Sequence, residues 1–195
     1  IIGPNGTKAQ IIGGGSATLV PYYESHPIEA FKSSLNNNTL IRSSKGCHTY
    51  RYLPEINKSL TNEDGFLVEY FNVTENGNDF ISSKVLTGSK FWIFEGFAKD
   101  IIGGDEKPDI LVKFSCTYTP NITGEHNFEI FAIGKSKLLI DETEVIDNWT
   151  NSSPGDAFFA HGTTSKRGGK VLKKNKTYKI EIQYKFEGNF PAIYI

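Results

Sequence analysis

The sequence predicts a mainly β chain: an antiparallel β-sandwich preceded by a β-α-β piece of an α/β domain. Two long alternating runs give the sandwich. A glycine-rich loop ahead of a proline-started helix gives the α/β piece. In residues 110–119 the apolar side chains are Ile110, Val112, Phe114, Cys116 and Tyr118, with Lys113, Ser115, Thr117 and Thr119 on most of the other face. In residues 177–186 Tyr178, Ile180, Ile182, Tyr184 and Phe186 alternate with Thr177, Lys179, Glu181, Gln183 and Lys185. A period of two held this long predicts half-buried antiparallel strands.

Shorter runs at 66–71, 91–94, 126–133, 137–140 and 144–146 supply further strands. Thr123-Gly124, Gly134, Gly168-Gly169 and Lys174-Asn175 punctuate them as turns. No helix is expected from Gly65 onward, and two packed antiparallel sheets bury such strands best. Residues 1–64 read differently. Ile1-Ile2 ends at Gly3-Pro4, a glycine loop follows, and Pro27 opens a short helix with Ile28, Phe31 and Leu35 on one face. Thr39-Leu40-Ile41-Arg42 is expected as a second strand, parallel to the first. Two strands and a helix cannot build a core alone, so the rest of that sheet is expected outside the chain. The boundary is placed at 64/65, within Asn62-Glu63-Asp64-Gly65. The chain contains no Met, and both of its ends read as cut from a longer protein.

Net charge is −1, so no field draws in nucleic acid or anionic lipid, and no apolar run approaches the roughly 20 residues of a membrane helix. Neither partner is expected. Cys47 and Cys116 read as free thiols. Sequons at Asn5, Asn37, Asn57, Asn72, Asn121, Asn148, Asn151 and Asn175 are denser than chance placement gives. They favour a glycoprotein that is extracellular or in the cell wall, with an Asn-rich cytoplasmic protein as the alternative.

Several stretches resemble a known family. Ile1-Ile2-Gly3-Pro4-Asn5, Gly13-Gly14-Gly15-Ser16-Ala17, Pro21-Tyr22-Tyr23, Pro27 with its helix, and Gly46-Cys47 resemble the start of the α/β sandwich domain of glycoside hydrolase family 3 β-glucosidases. Gly65-Phe66, Glu69-Tyr70-Phe71, Leu138-Leu139-Ile140-Asp141, Val145-Ile146-Asp147-Asn148, Phe158-Phe159 and Gly162-Thr163 resemble the PA-14 (protective-antigen-like) β-sandwich, which is inserted in some of these enzymes. The order of the two parts is the specific signal. There are two departures. Glu142-Thr143 stands in a turn where the family has glycine, and the adjacent aspartate pair that holds calcium in sugar-binding adhesins is missing.

The resemblance implies a parent β-glucosidase acting on terminal non-reducing β-D-glucosyl residues of small carbohydrates such as cellobiose-like oligosaccharides, in polysaccharide catabolism, with retention and no cofactor. Retention needs two carboxyl groups about 5–5.5 Å apart. By resemblance the nucleophilic Asp lies in a preceding barrel and the acid/base Glu after the insert. No residue here is therefore assigned as catalytic, and Glu24, Glu55 and Asp64 are read as surface carboxylates. The alternatives are a stand-alone carbohydrate-binding or adhesin module, and a structural spacer. A homo-oligomer is compatible with either of the first two readings.

Gly13-Gly14-Gly15-Ser16 lacks the Lys-Ser/Thr of a phosphate loop and is read as structural. His26, His48, His126 and His161 have no metal-ligand spacing. Asp141 and Asp147 are either oxygen ligands for calcium or turn carboxylates. The substrate-binding candidates are aromatic. Trp149, Phe158 and Phe159 flank the polar stretch Thr150–Asp156, and Trp92 and Phe94 form a second aromatic run. Rings at a loop offer the apolar CH face of a sugar a rigid surface to stack on.

Overall fold

The computed structural model describes residues 1–13, 18–92, 109–187 and 191–195. The chain forms two compact units, Ile1–Arg51 and Tyr52–Ile195. In the first, α1 (Pro27–Ser34) forms behind Pro27 as expected, but it buries no residue. The expected strand at Thr39–Arg42 does not form. Pairing is limited to a single parallel bridge between Ile2 and Ser44, closed by Gly3 N donating to Ser44 O and Ser44 N to Ile1 O, each 3.0 Å. Among the described residues no further strand extends this ladder, and the pairing stops there. Of the glycine-rich loop, residues 14–17 lie outside the described residues.

The second unit contains β1 (Phe66–Thr74), β2 (Gly77–Leu86), β3 (Phe91–Trp92), β4 (Ile110–Tyr118), β5 (Gly124–Ala132), β6 (Gly134–Ile140), β7 (Thr143–Asn148), the short turn α2 (Ala157–Ala160), β8 (Lys166–Leu172), β9 (Tyr178–Phe186) and β10 (Ala192–Tyr194). The larger sheet runs β2-β1-β4-β9-β6-β7 and the smaller β3-β10-β5-β8. Their pairings are antiparallel. This is the sandwich that the alternation predicts.

Register explains why alternation suffices for the core. Val68, Phe114, Ile182, Leu138 and Ile146 face one another in turn across five strands of the larger sheet, all of them buried. Phe128, Ile130, Leu172 and Ile193 of the smaller sheet share that core. Full burial of each such side chain contributes about 1.5–3 kcal/mol. One residue along, the row on the outer face is Glu69, Lys113, Gln183, Lys137 and Asp147. The period of two thus separates apolar from charged.

Two features of this sandwich position the candidate site. The chain changes sheet between β5 and β6 at Gly134, whose φ is +113° and where a Cβ would collide with the Lys185 carbonyl. Only glycine fits that corner. Secondly, β5 is buried on both faces over residues 128–132. Phe128 and Ile130 face the inter-sheet core, while Phe131 lies in a second cluster with Ile133, Ala157, Phe158 and Ala192, against which Tyr52, Phe186 and Tyr194 pack.

Residues 52–64, placed by sequence before the boundary, run along the sandwich. Ile56 N donates to Ile195 O (3.2 Å), Lys58 N to Thr87 O (2.8 Å) and Asn62 N to Thr117 O (2.9 Å). Glu129, nearly buried on the outer face of β5, accepts from Leu53 N at 2.6 Å and pairs with Arg167 Nε at 3.2 Å. Burial pushes its carboxyl pKa up. The hydrogen bonds from Leu53, Ser165 and Arg167, with the guanidinium charge, outweigh that and hold it below the ordinary carboxylate value.

Candidate functional site: the loop between Asn148 and Thr163

The loop leaves β7 through a turn capped by Asp147, whose Oδ1 accepts from Trp149 N (2.7 Å) and Thr150 N (2.8 Å). The N–H groups of Thr150 and Trp149 hold this carboxyl below its usual pKa. Farther on, Gly155 N donates to Gly162 O (2.9 Å) and Thr164 N to Ser153 O (2.8 Å), with a bridge between Pro154 and Thr163. The neck is therefore a short ladder that presents α2 at its tip.

α2 is not an ordinary helix. Phe158 (φ 51°, ψ 50°), Phe159 (φ 60°, ψ 38°) and Ala160 (φ 64°) are three consecutive non-glycine residues in the left-handed region. Such a conformation costs an L-residue roughly 1–2 kcal/mol, and runs of it are rare. Its consequence is to turn adjacent phenylalanines in opposite directions. Phe158 is 6 % exposed and Phe159 82 % exposed. The Phe158 ring packs 5.4 Å from Phe131. Phe131 in turn stacks on Tyr194 (4.9 Å, 10°) and lies 4.5 Å from Tyr52. The Tyr52 hydroxyl is 3.4 Å from Asp156 Oδ1, immediately before the turn.

The sequence candidates therefore separate. Phe158 roots the loop in the fold and has no face free for a ligand, which corrects the expectation that it stacks on substrate. Phe159 presents its ring at the tip. Trp149 is half-buried, with Lys137 Nζ 5.5 Å over its ring. Trp92 lies on β3 opposite Ala192. Its side chain, and Phe94 altogether, lie outside the described residues. Sequence reasoning missed Tyr52 and Phe131, which no periodicity marks. It also missed Asn148 as a structural residue, although the alternation Leu138, Ile140, Ile146 signals that 148 points inward. Asn148 is fully buried. Among the sequon asparagines, Asn5, Asn37, Asn121, Asn151 and Asn175 are exposed, and Asn57 and Asn72 half-buried.

Both cysteines are free; Cys47 is exposed, and burial, helped by the Glu63 charge, pushes the Cys116 thiol up to about 12. No described helix is long and apolar enough to cross a membrane. Among the described residues no group of three or more His, Cys, Asp or Glu side chains is arranged to hold a metal. Asp141 instead serves a hairpin turn. Asp141 and Glu142 have φ 47° and 62° between β6 and β7, the type I′ geometry, and Asp141 Oδ1 accepts from Lys179 N at 2.9 Å. That bond supports the turn in which Glu142 stands in place of glycine. Chelation of calcium is expected to leave the melting temperature unchanged, because an ion that does not bind the native state cannot stabilise it. A calcium-dependent rise of several degrees, lost in Asp141→Ala or Asp147→Ala, would contradict this.

Residues 94–189 match the PA14 domain model. A probable β-glucosidase I from Aspergillus terreus is 33 % identical over 187 residues, spanning 94 % of this chain and 22 % of that protein. In structure, the β-glucosidase from Kluyveromyces marxianus is similar at a TM-score of 0.73 and 19 % identity, over 99 % of this chain and 24 % of that one. The same enzyme in complex with glucose gives 0.70 at 20 % identity, over 100 % and 25 %. The chain thus spans 22 % of the length of the Aspergillus relative. These similarities to β-glucosidases take in the first unit as well as the sandwich.

Proposed function

We propose that the protein containing this chain is a family 3 β-glucosidase. It hydrolyses terminal non-reducing β-D-glucosyl residues with retention, through two carboxyl groups that this chain does not supply. The sandwich shapes the aglycone side of its pocket, the loop 149–162 acting as a wall and Phe159 as a stacking surface. The observation that carries this is the root of the loop. Phe158, Tyr52 and Tyr194 all pack on Phe131, so the loop springs from the side of the sandwich where residues 52 and 194 run. The relatives' names and the glucose complex of a similar fold support a sugar ligand. The match over the first unit also counts against an adhesin, which has no reason to carry one. Exposed sequon asparagines favour an extracellular or cell-wall setting.

A ring stacking on the sugar beyond the cleaved bond contributes about 1 kcal/mol, or about fivefold in kcat/KM for a disaccharide. The same wall excludes a third sugar by clash. In the full-length enzyme, shortening the loop at 151–156 should raise the ratio of trisaccharide to disaccharide kcat/KM, while residues 1–195 alone hydrolyse no β-glucoside. An unchanged ratio would remove the loop from the site. Turnover by residues 1–195 would overturn the assignment of catalysis elsewhere.

A further inference from the structure

Asn148 is the last residue of β7 and lies wholly inside the protein, opposite Ser136. Its Nδ2 donates to Ser136 Oγ and to Thr163 Oγ1, each at 3.0 Å. Thr163 Oγ1 also accepts from Ala132 N (3.3 Å), and Thr163 N donates to Ala132 O (2.9 Å). Asn148 and Thr163 are the residues on either side of the loop 149–162. One buried amide therefore ties both ends of the loop to each other and to β5 and β6. The arrangement is polar at a cost: Asn148 Oδ1 is buried and accepts no hydrogen bond among the described residues. An apolar pair of the same shape would carry no such burden. A directional bond fixes position where apolar packing alone tolerates sliding.

We infer that Asn148 is a positioning residue for Phe159: its amide clips the ends of the loop together, sets where the ring at the tip stands, and so sets the chain-length preference of the enzyme. The inference rests on the proposed role of the loop. Tyr52 and Phe131 hold the loop from its tip, through Asp156 and Phe158, whereas Asn148 holds it from its neck.

The test uses the full-length enzyme with Phe159→Ala as reference. Asn148→Leu combined with Thr163→Val removes both partners of the buried bond, whereas Thr163→Ser keeps the hydroxyl. Two quantities are read: amide hydrogen exchange at residues 157–162, and the trisaccharide-to-disaccharide ratio of kcat/KM. The double variant is expected to exchange these amides at least tenfold faster and to raise the ratio about threefold, approaching Phe159→Ala. Thr163→Ser should stay within twofold of the parent in both. If the double variant does not fold, Thr163→Val alone carries the test with the same direction expected. Faster exchange with an unchanged ratio, where Phe159→Ala does change it, overturns the positioning role and leaves the role of the loop standing. Unchanged exchange overturns the clip directly. If Phe159→Ala itself leaves the ratio unchanged, the reading of the loop fails, and the inference with it.

Discussion

Phe158→Ala is expected to lower the unfolding free energy by about 3–4 kcal/mol, whereas Phe159→Gly, one residue on, should leave it unchanged or raise it by up to about 1 kcal/mol. The two residues share a left-handed backbone but differ in what the ring does. The Phe158 ring is buried against Phe131 with Ile133, Ala157 and Ala192, and truncation leaves a hole that rigid strands cannot close. The exposed Phe159 ring has little burial to lose. Glycine there relieves a conformation that costs an L-residue about 1–2 kcal/mol, offset by the greater freedom of the unfolded chain. Urea unfolding of both variants checks the pair. A large loss of stability in Phe159→Gly would mean that its ring is a packing element. A gain in stability joined to weaker disaccharide use would mark a residue kept strained for function.

Tyr184→Phe is expected to cost about 2–3 kcal/mol although it removes one oxygen. Tyr184 lies on β9 of the larger sheet, yet its hydroxyl reaches the end of the smaller one. It donates to Ile133 O (2.9 Å) and accepts from Ala192 N (3.1 Å). Burial pushes its pKa well above the ordinary phenol value, though the Ala192 bond opposes this, so it remains a donor at any working pH. Phenylalanine orphans a buried N–H, which costs about 1–3 kcal/mol, and withdraws one partner from a carbonyl. The loss should be read by denaturant unfolding, with faster amide exchange at Ala192. A change below about 0.5 kcal/mol would show that the two sheets hold together there without the hydroxyl.

The sequence disclosed elements in proportion to how one-sided their burial is. β4 and β9 lie in mid-sheet with one face on the core, and alternation located them almost to the residue. β2 and β8 went unseen. Both are edge strands whose two faces differ little in burial: Phe80, Ile81, Val85 and Val171 stay exposed there, and Gly168-Gly169, expected as a turn, lie within β8. The sequence marked Phe158 and Phe159 alike as loop rings; what turns one in and the other out is a left-handed turn that these residue types do not announce. Phe131 was hidden for another reason. A strand buried on both faces has no alternation, and what covers its second face comes from Tyr52 and Phe158, remote in sequence.

The hydrogen bond from Ile56 N to Ile195 O sets a residue that precedes β1 beside one that follows β10. A module whose two stems stand side by side makes little demand on the protein that hosts it. It can occupy a single surface loop without prising apart the host's own strands, much as a hairpin would. Under the proposed function, a sandwich with such stems can be gained, lost or exchanged as a cassette while the host fold stays whole. Under that proposed function, selection can then vary the tip of the 149–162 loop without disturbing the carboxyl groups that break the bond.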